Sequence, residues 1–535
     1  MAELKRIYPK QEKESKSKQG TTTSAPTNVA VVKTALNPQV KKHAVQAEIA
    51  SMEKPISAKK SRFKRFKHKK AQFVSQSRRY WSLNNPSRLI TTSFLLTILL
   101  GSILLKLPIA SANGISLPYL TCLFTATSAT CVTGLVLVDT MLSWSLFGKV
   151  VILAMIQIGG LSLLTILAAL GIGISRQVNL TLSRALRNTT AGLDYSESFK
   201  LVKQIILLTL SCEGIGALFF TWRFAYYMPL PVAFGKAIFH SVSAFCNAGF
   251  DLMGDLTGPL SSLTHFNNDL WIIIGTAVLI ISGGLGFVVW VDLLHFPKHR
   301  ILRFHSRLVL KMTLILIVFG SIAFWLLESQ NNVAGGLLGL SAGERPVAAF
   351  FQSVTLRTAG FNSIDQASLT DGSKALGIFL MLVGAGPAST AGGIKVTTLA
   401  IILAAVRADF FCKGGEVRLI KYRISSELIR RALSITMLGM SLTWALAMLM
   451  AITLPHNAQT ANIHFIDMLY EAASAFGTVG VSSATTSSFS HIAHIGIIIT
   501  IFIGRVGPAS MLLSFVSRKH EPATHVYPEG KTYVG

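Results

Sequence analysis

The feature that most constrains this chain is a series of uncharged apolar runs, each about long enough to cross a lipid bilayer as a helix. Helices are expected because their backbone hydrogen bonds close within one segment. A β-barrel would need short segments of alternating hydrophobicity, and the sequence has none. Hydrophobic residues make up 51% of the chain and charged residues 14%. The sequence therefore predicts an all-α polytopic membrane protein, whose clearest runs are Leu89–Leu105, Val150–Ser175, Leu270–Val291, Ala375–Ile394 and Ala432–Pro455.

The first 80 residues differ from the rest in charge. They hold 20 Lys/Arg and five Asp/Glu, and so carry +15 of the formal net charge of +26. Because apolar residues are few, residues 1–80 are predicted to be a disordered cytoplasmic tail. The run "KKSRFKRFKHKK" (59–70) is a positive-inside anchor, a binding site for anionic lipids or a docking site for a partner. Nucleic-acid binding is not expected, because this run lies just before a membrane helix.

Basic residues also predict the topology. Lys and Arg cluster in the segments 176–203, 298–311 and 407–431, whereas the loops 107–148 and 456–500 have few. Positive loops stay on the cytoplasmic side, so the chain returns to the inside after each pair of helices and both termini are cytoplasmic. The eight predicted spans are 87–107, 148–175, 201–226, 269–294, 307–327, 375–406, 430–455 and 491–517. They divide the chain into four predicted repeats, 85–175, 176–296, 297–412 and 413–535, the last of which includes a C-terminal tail.

Between the two helices of each pair lies an amphipathic stretch that ends in a glycine turn. The four glycines, Gly134, Gly249, Gly360 and Gly480, are separated by 115, 111 and 120 residues. A feature that recurs at a nearly fixed period indicates a structural repeat. The stretches are "LFTATSATCVTGLVLVDT" (123–140), "IFHSVSAFCNAGFDL" (238–252), "FFQSVTLRTAGFNSID" (350–365) and "LYEAASAFGTVGVSS" (469–483).

These turns predict a pore. Non-helical backbone at membrane depth is tolerated only where it is buried or lines a water-filled cavity, so four turns indicate a ring around one axis. Rings of backbone carbonyls replace the hydration shell of K⁺ in filters of sequence T-V-G-Y-G, which "TVGV" (478–481) resembles. The predicted filter consists of the carbonyls of Val132, Thr133, Gly134, Asn247, Ala248, Gly249, Thr358, Ala359, Gly360, Thr478, Val479 and Gly480.

A second glycine pattern lies in the second helix of each repeat. For "QIGGLS" (157–162) and "SGGLGF" (282–287) close helix packing is the favoured interpretation. In contrast, "GAGPASTAGGIK" (384–395) cannot form a regular helix, and a break below a pore predicts a gating loop. Arg505, within an apolar helix, either satisfies carbonyls at the broken helix or holds this loop and repels cations. The predicted gate residues are Gly384, Ala385, Gly386, Ser389, Thr390, Gly392, Gly393, Lys395 and Arg505.

Other ionisable residues near the turns are open to two interpretations. Glu213, Arg357 and Glu471 are expected to brace the pore helices, with a direct cation role as the alternative. His240 is expected to be a core residue. Three carboxylates that follow the filter glycines either concentrate cations at the pore mouth or are ordinary solvated groups: Asp139, Asp251 and Asp365.

The four turns, together with "GAGPASTAGGIKVTT" (384–398), "IGRVGPAS" (503–510) and the ending "YPEGKTYVG" (527–535), resemble the Trk/Ktr/HKT superfamily of potassium transporters. The resemblance covers residues 85–535. It implies K⁺ uptake across the bacterial plasma membrane, with Na⁺ as an activating ion. It also implies a homodimer with one pore per protomer on a cytosolic ring of KtrA-type regulatory subunits that bind ATP, ADP or NAD(H). Relatives often have Thr-Gly-Gly-Gly in the intramembrane loop, whereas here Ala391 follows Thr390, and Cys131 and Cys246 sit beside the filter.

Two other function classes are less consistent with the sequence. A secondary transporter of another cation or solute is the alternative; it predicts inverted halves, whereas these four units insert in one orientation. An enzyme is not expected, because H-E-x-x-H, G-x-S-x-G and clustered aspartates are missing from the sequence. No soluble G-x-G-x-x-G unit occurs, so no nucleotide is expected to bind this chain. The five cysteines have no metal-site spacing, so the only metal ions expected are K⁺ and Na⁺.

Overall fold

Four long helices, one in each repeat, form the outer frame of the protein. The computed structural model describes residues 86–161, 195–331, 333, 335–411, 416–420, 422–455, 460–507 and 511. By length and hydropathy these four described helices qualify as membrane spans, and only 28–39% of the residues in their most apolar windows are buried. Their apolar side chains therefore face outward, as expected in lipid. The helices are α1 (Pro86–Lys106), α4 (Tyr195–Phe224), α8 (Phe304–Glu328) and α12 (Ser426–Thr453).

Each long helix is followed by a short buried helix, which we call a pore helix. The pore helices have 11 to 17 residues, fewer than the roughly 20 needed to cross a bilayer. Three of them have a proline at or next to their first residue, where a missing N–H costs no helical hydrogen bond. The pore helices are α2 (Tyr119–Cys131), α5 (Leu230–Cys246), α9 (Arg345–Thr355) and α13 (Phe465–Gly477).

The second helix is interrupted in two of the repeats. In repeat 2, α6 (Leu270–Gly284) and α7 (Phe287–His299) meet at an angle of 98°. In repeat 3, a loop of 13 residues, 383–395, separates α10 (Asp371–Leu382) from α11 (Val396–Phe411). The break in repeat 3 was expected from its sequence, whereas the bend within the predicted span 269–294 was not expected; the two helices of this pair are together long and apolar enough for one broken span. Gly286, with φ of 93°, adopts a conformation at this bend that disfavours other residues.

The remaining second helices are α3 (Leu146–Leu161) and α14 (His491–Val506). The short elements are the helices Thr140–Ser143 and Gly254–Thr257, a hairpin of β1 (Arg418–Leu419) and β2 (Tyr422–Arg423), and the 3₁₀ turns Pro108–Ala110, Thr264–Phe266, Leu337–Gly339, Gln366–Ser368 and Thr486–Ser488. The tail 1–80 with its basic run, residues 176–194 and the ending 527–535 lie outside the described residues, so the expectations for them stay predictions. The same holds for the exact repeat boundaries.

The four repeats close into a ring by one recurring contact. The second helix of each repeat packs against the pore helix of the next: α3 against α5, α6 against α9, α10 against α13, and α14 against α2. The last contact joins the end of the chain to its beginning, and a core cluster that includes Phe124, Ile152 and Ile497 fills it. The prediction of an all-α polytopic membrane protein with four helix–pore helix–helix repeats is confirmed, and the ring leaves the four glycine turns at its centre.

Candidate ion pathway

The four glycine turns share one backbone conformation. In each turn the residue two positions before the glycine has a positive φ, which costs roughly 1–2 kcal/mol for a residue with a side chain. The glycine also has a positive φ. A strained conformation that recurs in four unlike sequences indicates a common structural requirement. The φ angles are 58° at Val132, 60° at Asn247, 73° at Thr358 and 51° at Thr478, and 90°, 70°, 86° and 103° at the four glycines.

Hydrogen bonds to the pore helices hold the turns in place. In repeats 1 and 4 a serine also accepts from the glycine N–H: Ser128 Oγ lies 3.1 Å from Gly134 N, and Ser474 Oγ lies 3.0 Å from Gly480 N. Since N–H and C=O point in opposite directions across a trans peptide, these bonds turn the preceding carbonyls away from the pore helix. The residue before each glycine donates its N–H to a pore-helix carbonyl: Thr133 to Ser128 (2.8 Å), Ala248 to Ser243 (2.7 Å), Ala359 to Thr355 (2.9 Å) and Val479 to Ser474 (2.9 Å).

The glycines meet one another in cyclic order. A Cβ atom added to Gly134 would lie 2.6 Å from the carbonyl oxygen of Ala248, just before the next glycine. The same construction gives 2.8 Å from Gly249 to Ala359 O, 2.2 Å from Gly360 to Val479 O, and 2.1 Å from Gly480 to Thr133 O. Real Cβ atoms do not approach backbone this closely, so only glycine fits at these positions. The four turns therefore surround a single narrow axis.

The carbonyls of the predicted filter are available to a cation. None of these twelve oxygens accepts a hydrogen bond from any residue that the structure describes. Buried carbonyls normally have a partner, so a group of unpaired ones at one axis indicates a ligand that they coordinate. Oxygen ligands without a formal charge suit a large monovalent cation that gives up its water.

A cavity of about 540 Å³ opens on one side of the ring, and all four filter glycines line it. Asp139, Asp251 and Asp365 line it as well, but each carboxylate also accepts backbone N–H bonds within its own loop. Burial raises the pKa of Asp251 to about 6, and Asp139 adds to the shift, whereas the N–H of Met253 opposes it. The three carboxylates thus have two effects: they accept hydrogen bonds that hold their loops, and they place negative charge in this cavity, which we call the vestibule.

The loop 383–395, predicted as a gate, lies against the opposite end of the ring. A Cβ on Gly392 would be 2.1 Å from Thr478 Oγ1, and one on Gly384 would be 3.3 Å from the methyl group of Thr358. Both threonines begin filter turns. The interior of the loop is tied together: Gly384 N donates to Ile394 O (2.8 Å), and Lys395 Nζ donates to Ala391 O (2.6 Å) and Gly392 O (3.1 Å).

The bend of repeat 2 supports this loop from the side. Gly386 N donates to Gly284 O (2.9 Å), and Phe287 N donates to Ala388 O (2.9 Å). The two interruptions of the second helices therefore satisfy each other's backbone groups. Ser389 Oγ donates to Gly386 O (2.7 Å), and Thr390 Oγ1 donates to Phe245 O (3.3 Å) at the end of pore helix α5.

Arg505 fastens the loop from the fourth repeat. One guanidinium nitrogen donates to Thr390 O in the loop, and the other donates to Gly159 O in α3 at 2.5 Å. One side chain thus connects repeats 1, 3 and 4 below the ring. These carbonyl contacts agree with both interpretations of Arg505, because the residue satisfies carbonyls at a broken helix and, in doing so, ties the loop to its neighbours.

The other predicted brace residues differ in their surroundings. Glu213 accepts from Gln157 Nε2 at 3.0 Å and so links repeats 1 and 2. Glu471 accepts from Thr486 Oγ1 at 2.7 Å beyond the fourth filter turn. His240 is buried among Phe220, Phe224 and Phe361 and contacts Thr276 Oγ1 at 2.9 Å. The Arg357 side chain is buried, and its Nε has no hydrogen-bond partner among the described residues.

The glycines of the second helices pack against the pore helices. A Cβ on Gly159, Gly283 or Gly504 would lie within 2.1 Å of Thr130 O, Phe245 O or Phe476 O, respectively. The expected packing role of the first two motifs agrees with these contacts. The ion pair between Lys374 Nζ and Asp467 Oδ1 (2.7 Å) was not predicted from the sequence; Asp467 Oδ1 also accepts from Ser483 Oγ (2.8 Å). The only available signal was a lysine at the edge of an apolar run.

Comparisons with known proteins agree with this arrangement. The family model TrkH, described as "Cation transport protein", matches residues 63–524. The Ktr system potassium uptake protein B of Vibrio alginolyticus is 36% identical over 86% of this chain and 98% of its own length. The protein of the same name from Bacillus subtilis is 34% identical over 85% and 98% of the two chains. The potassium/sodium uptake protein NtpJ of Enterococcus hirae is 34% identical over 84% and 97%.

The fold has a counterpart among solved structures. The crystal structure of the potassium transporter TrkH from Vibrio parahaemolyticus superposes with a TM-score of 0.59 over 80% of this chain and 85% of that chain, at 15% identity. The resemblance inferred from the turns and the loop is thus confirmed, as is the expectation that the chain is not an enzyme. With the family match and these relatives together, the chain belongs to the TrkH family of cation transport proteins.

Proposed function

We propose that this protein takes up potassium through the ring of glycine turns. The observation that carries the proposal is the closed ring of twelve carbonyls without hydrogen-bond partners among the described residues. Carbonyl rings favour K⁺ because they replace its hydration shell. Two relatives that match over 98% of their own length are named potassium uptake proteins, which also supports K⁺ as the transported ion. Because the four turns differ in sequence, we expect weaker discrimination against Na⁺ than four identical T-V-G-Y-G turns would give.

The loop 383–395 acts as the gate in this proposal. It touches Thr358 and Thr478 at the end of the ring opposite the vestibule, where an ion that leaves the filter must pass. Arg505 holds the loop in place and contributes a fixed positive charge below the filter. Transport then requires the loop to move far enough to release Thr390 from the guanidinium.

We also propose that a cytosolic partner controls the position of the loop. Relatives named as part of a Ktr system support a KtrA-type subunit that binds ATP, ADP or NAD(H), and the name potassium/sodium uptake protein supports stimulation by Na⁺. We further propose a homodimer in the plasma membrane with both termini in the cytoplasm. Residues 59–70 would then lie beside anionic lipids.

Growth and flux measurements test the function. A bacterium that lacks its own potassium uptake systems should grow at low K⁺ only when it expresses this chain. Purified protein in liposomes should take up the K⁺ analogue ⁸⁶Rb⁺, and excess K⁺ should compete more strongly than excess Na⁺. Addition of the regulatory subunit should make the flux depend on nucleotide. Growth rescue without any Rb⁺ flux, or equal competition by K⁺ and Na⁺, would contradict the proposal.

A further inference from the structure

A small cavity lies between repeats 2 and 3, behind the third filter turn. Its volume is about 10 Å³, which is room for about one water-sized sphere. The wall is almost entirely apolar, with Ile280 and Gly284 from α6 and Ala385 from the intramembrane loop. Among the described residues, only two polar side chains line it, Thr313 of α8 and Arg357. The cavity is separate from the vestibule and from the ring of carbonyls.

The Arg357 guanidinium at this cavity has no opposite charge paired with it among the described residues. The residue is only 5% exposed, its buried Nε has no hydrogen-bond partner, and the guanidinium forms no ion pair, all with respect to the described residues. A guanidinium cannot lose its proton in a protein and presents five N–H donors. Buried charges are normally paired, so an isolated one beside a cavity indicates a missing counter-group.

Thr313 adds a second donor on the other wall. Its hydroxyl is buried and has no partner among the described residues. Some threonines in the spanning helices donate back to their own helix, as Thr443 does to Gly439 O at 3.0 Å, whereas Thr209 and Thr436 do not. The Thr313 hydroxyl does not form this bond, and so it remains available to the cavity.

The nearby helix end compensates the charge only in part. Arg357 lies two residues beyond Thr355, the last residue of pore helix α9, where the helix dipole is negative. Such a contact contributes the equivalent of about half an elementary charge and leaves the buried Nε–H donor unpaired. The guanidinium can only donate, whereas the Thr313 hydroxyl can donate or accept, and among the described residues no carboxylate lines the cavity.

We propose that the cavity between Thr313 and Arg357 binds one monovalent anion of chloride size. The anion accepts hydrogen bonds from the guanidinium and from the threonine hydroxyl, and it neutralises the buried charge. Chloride is slightly larger than water, so the isoleucine and threonine walls move apart by a few tenths of an ångström. The proposal concerns a site outside the pore and holds whichever cation the pore carries.

Anion binding has a consequence for the loop. Gly284, whose carbonyl accepts from Gly386 N at 2.9 Å, and Ala385 both line the cavity. An anion there strengthens the packing of α6 against the loop. We therefore expect halide to raise the thermal stability of the folded protein relative to a bulky anion such as gluconate.

Bromide tests the site directly. The full-length protein in detergent or lipid nanodiscs is prepared with bromide in place of chloride, and the bromide is located by its anomalous scattering in crystals. We expect one peak within hydrogen-bond distance of the Arg357 guanidinium and Thr313 Oγ1. Arg357→Gln should lose this peak, and Thr313→Val should reduce its occupancy several-fold while Arg357 stays in place.

If a variant does not crystallise, its melting temperature is measured as a function of chloride concentration instead. The wild-type melting temperature should rise with chloride concentration at constant ionic strength, and Arg357→Gln should abolish that dependence. Arg307→Gln, which changes an exposed arginine of α8, the helix that carries Thr313, should keep it. Density for water alone at saturating bromide overturns the proposal, as does a bromide peak that persists in Arg357→Gln. An unchanged chloride dependence in folded Arg357→Gln would also overturn it.

Discussion

Replacing Arg505 by alanine should increase potassium flux and reduce its control. The guanidinium makes two charge-assisted hydrogen bonds, to Thr390 O in the loop and to Gly159 O in α3. Bonds of this kind contribute about 1.5–3 kcal/mol each, so their loss weakens the hold on the loop by roughly 3–6 kcal/mol. At tenfold per 1.4 kcal/mol, the equilibrium between the closed and displaced loop shifts by a factor of about 10² to 10⁴.

The gain in flux is limited by how often the loop is already open. If the loop is displaced about 1% of the time, flux cannot rise more than about 100-fold, because the open fraction then saturates. In Arg505→Ala the carbonyls of Thr390 and Gly159 lose their donor. If water takes the place of the guanidinium, it stabilises the closed loop again, and the gain in flux is then smaller. Arg505→Lys keeps the charge but not the fork of donors, so its flux should lie between wild type and Arg505→Ala.

The assay is ⁸⁶Rb⁺ uptake into liposomes with and without the regulatory subunit. Each variant is first checked for folding by size-exclusion chromatography and by its melting temperature. Arg345→Ala is a matched control, since the guanidinium of this residue donates to Leu338 O and Leu340 O at the start of pore helix α9, away from the loop. Lower flux from folded Arg505→Ala would refute the reasoning, because the guanidinium would then support the open pathway.

Three further predictions concern the ring, its support and the vestibule. Gly360→Ser should lower K⁺ uptake more than Na⁺ uptake, because a Cβ there would lie 2.2 Å from Val479 O; competition fluxes measure the ratio. Lys374→Met should lower stability by about 3–5 kcal/mol, because it leaves the buried Asp467 carboxylate unpaired; thermal unfolding measures the change. Burial raises the pKa of Asp251 to about 6, so acidification through pH 6 should protonate it and slow uptake at low K⁺, and Asp251→Asn should remove this step.

Each of these predictions has a control. Gly235→Ser adds the same side chain where no atom lies within 4 Å, and it should leave the K⁺/Na⁺ ratio unchanged. Combining Lys374→Met with Asp467→Leu removes both charges and should recover much of the lost stability. For the third prediction, the dependence of uptake on pH is measured in Asp139→Asn as well as in Asp251→Asn. The charges of Asp139 and Lys236 also shift the pKa of Asp251, which Asp139 raises and Lys236 lowers. A step of unchanged size in Asp251→Asn would assign it to another group.

Much of the fold and of the pore could be predicted from the sequence, because the signals are local and occur four times. Apolar runs of spanning length specify helices in lipid. Glycines at intervals of 115, 111 and 120 residues specify four equivalent turns, since a turn with positive φ favours glycine wherever it occurs. The run Gly384–Lys395 contains its own helix breakers, and so its interruption was also predictable.

The bend after α6 was not predictable with the same rules. "SGGLGF" suits close helix packing, and Gly283 does pack against Phe245 O. The bend becomes favourable only because the loop of repeat 3 supplies partners for the freed backbone groups, such as Ala388 O for Phe287 N. A helix break at membrane depth is stable when a distant segment satisfies it, and no local pattern describes that segment.

By itself the sequence determined the membrane helices, the four glycine turns and the position of the loop. Only the tertiary structure decided which groups meet. Arg505 contacts carbonyls 115 and 346 residues away along the chain, and Lys374 pairs with an aspartate 93 residues away. The cavity of Arg357 and Thr313 likewise exists only where two repeats pack together. The physical reason is that propensity and hydropathy act over a few residues, whereas pairing of buried charges depends on how whole helices pack around the ring.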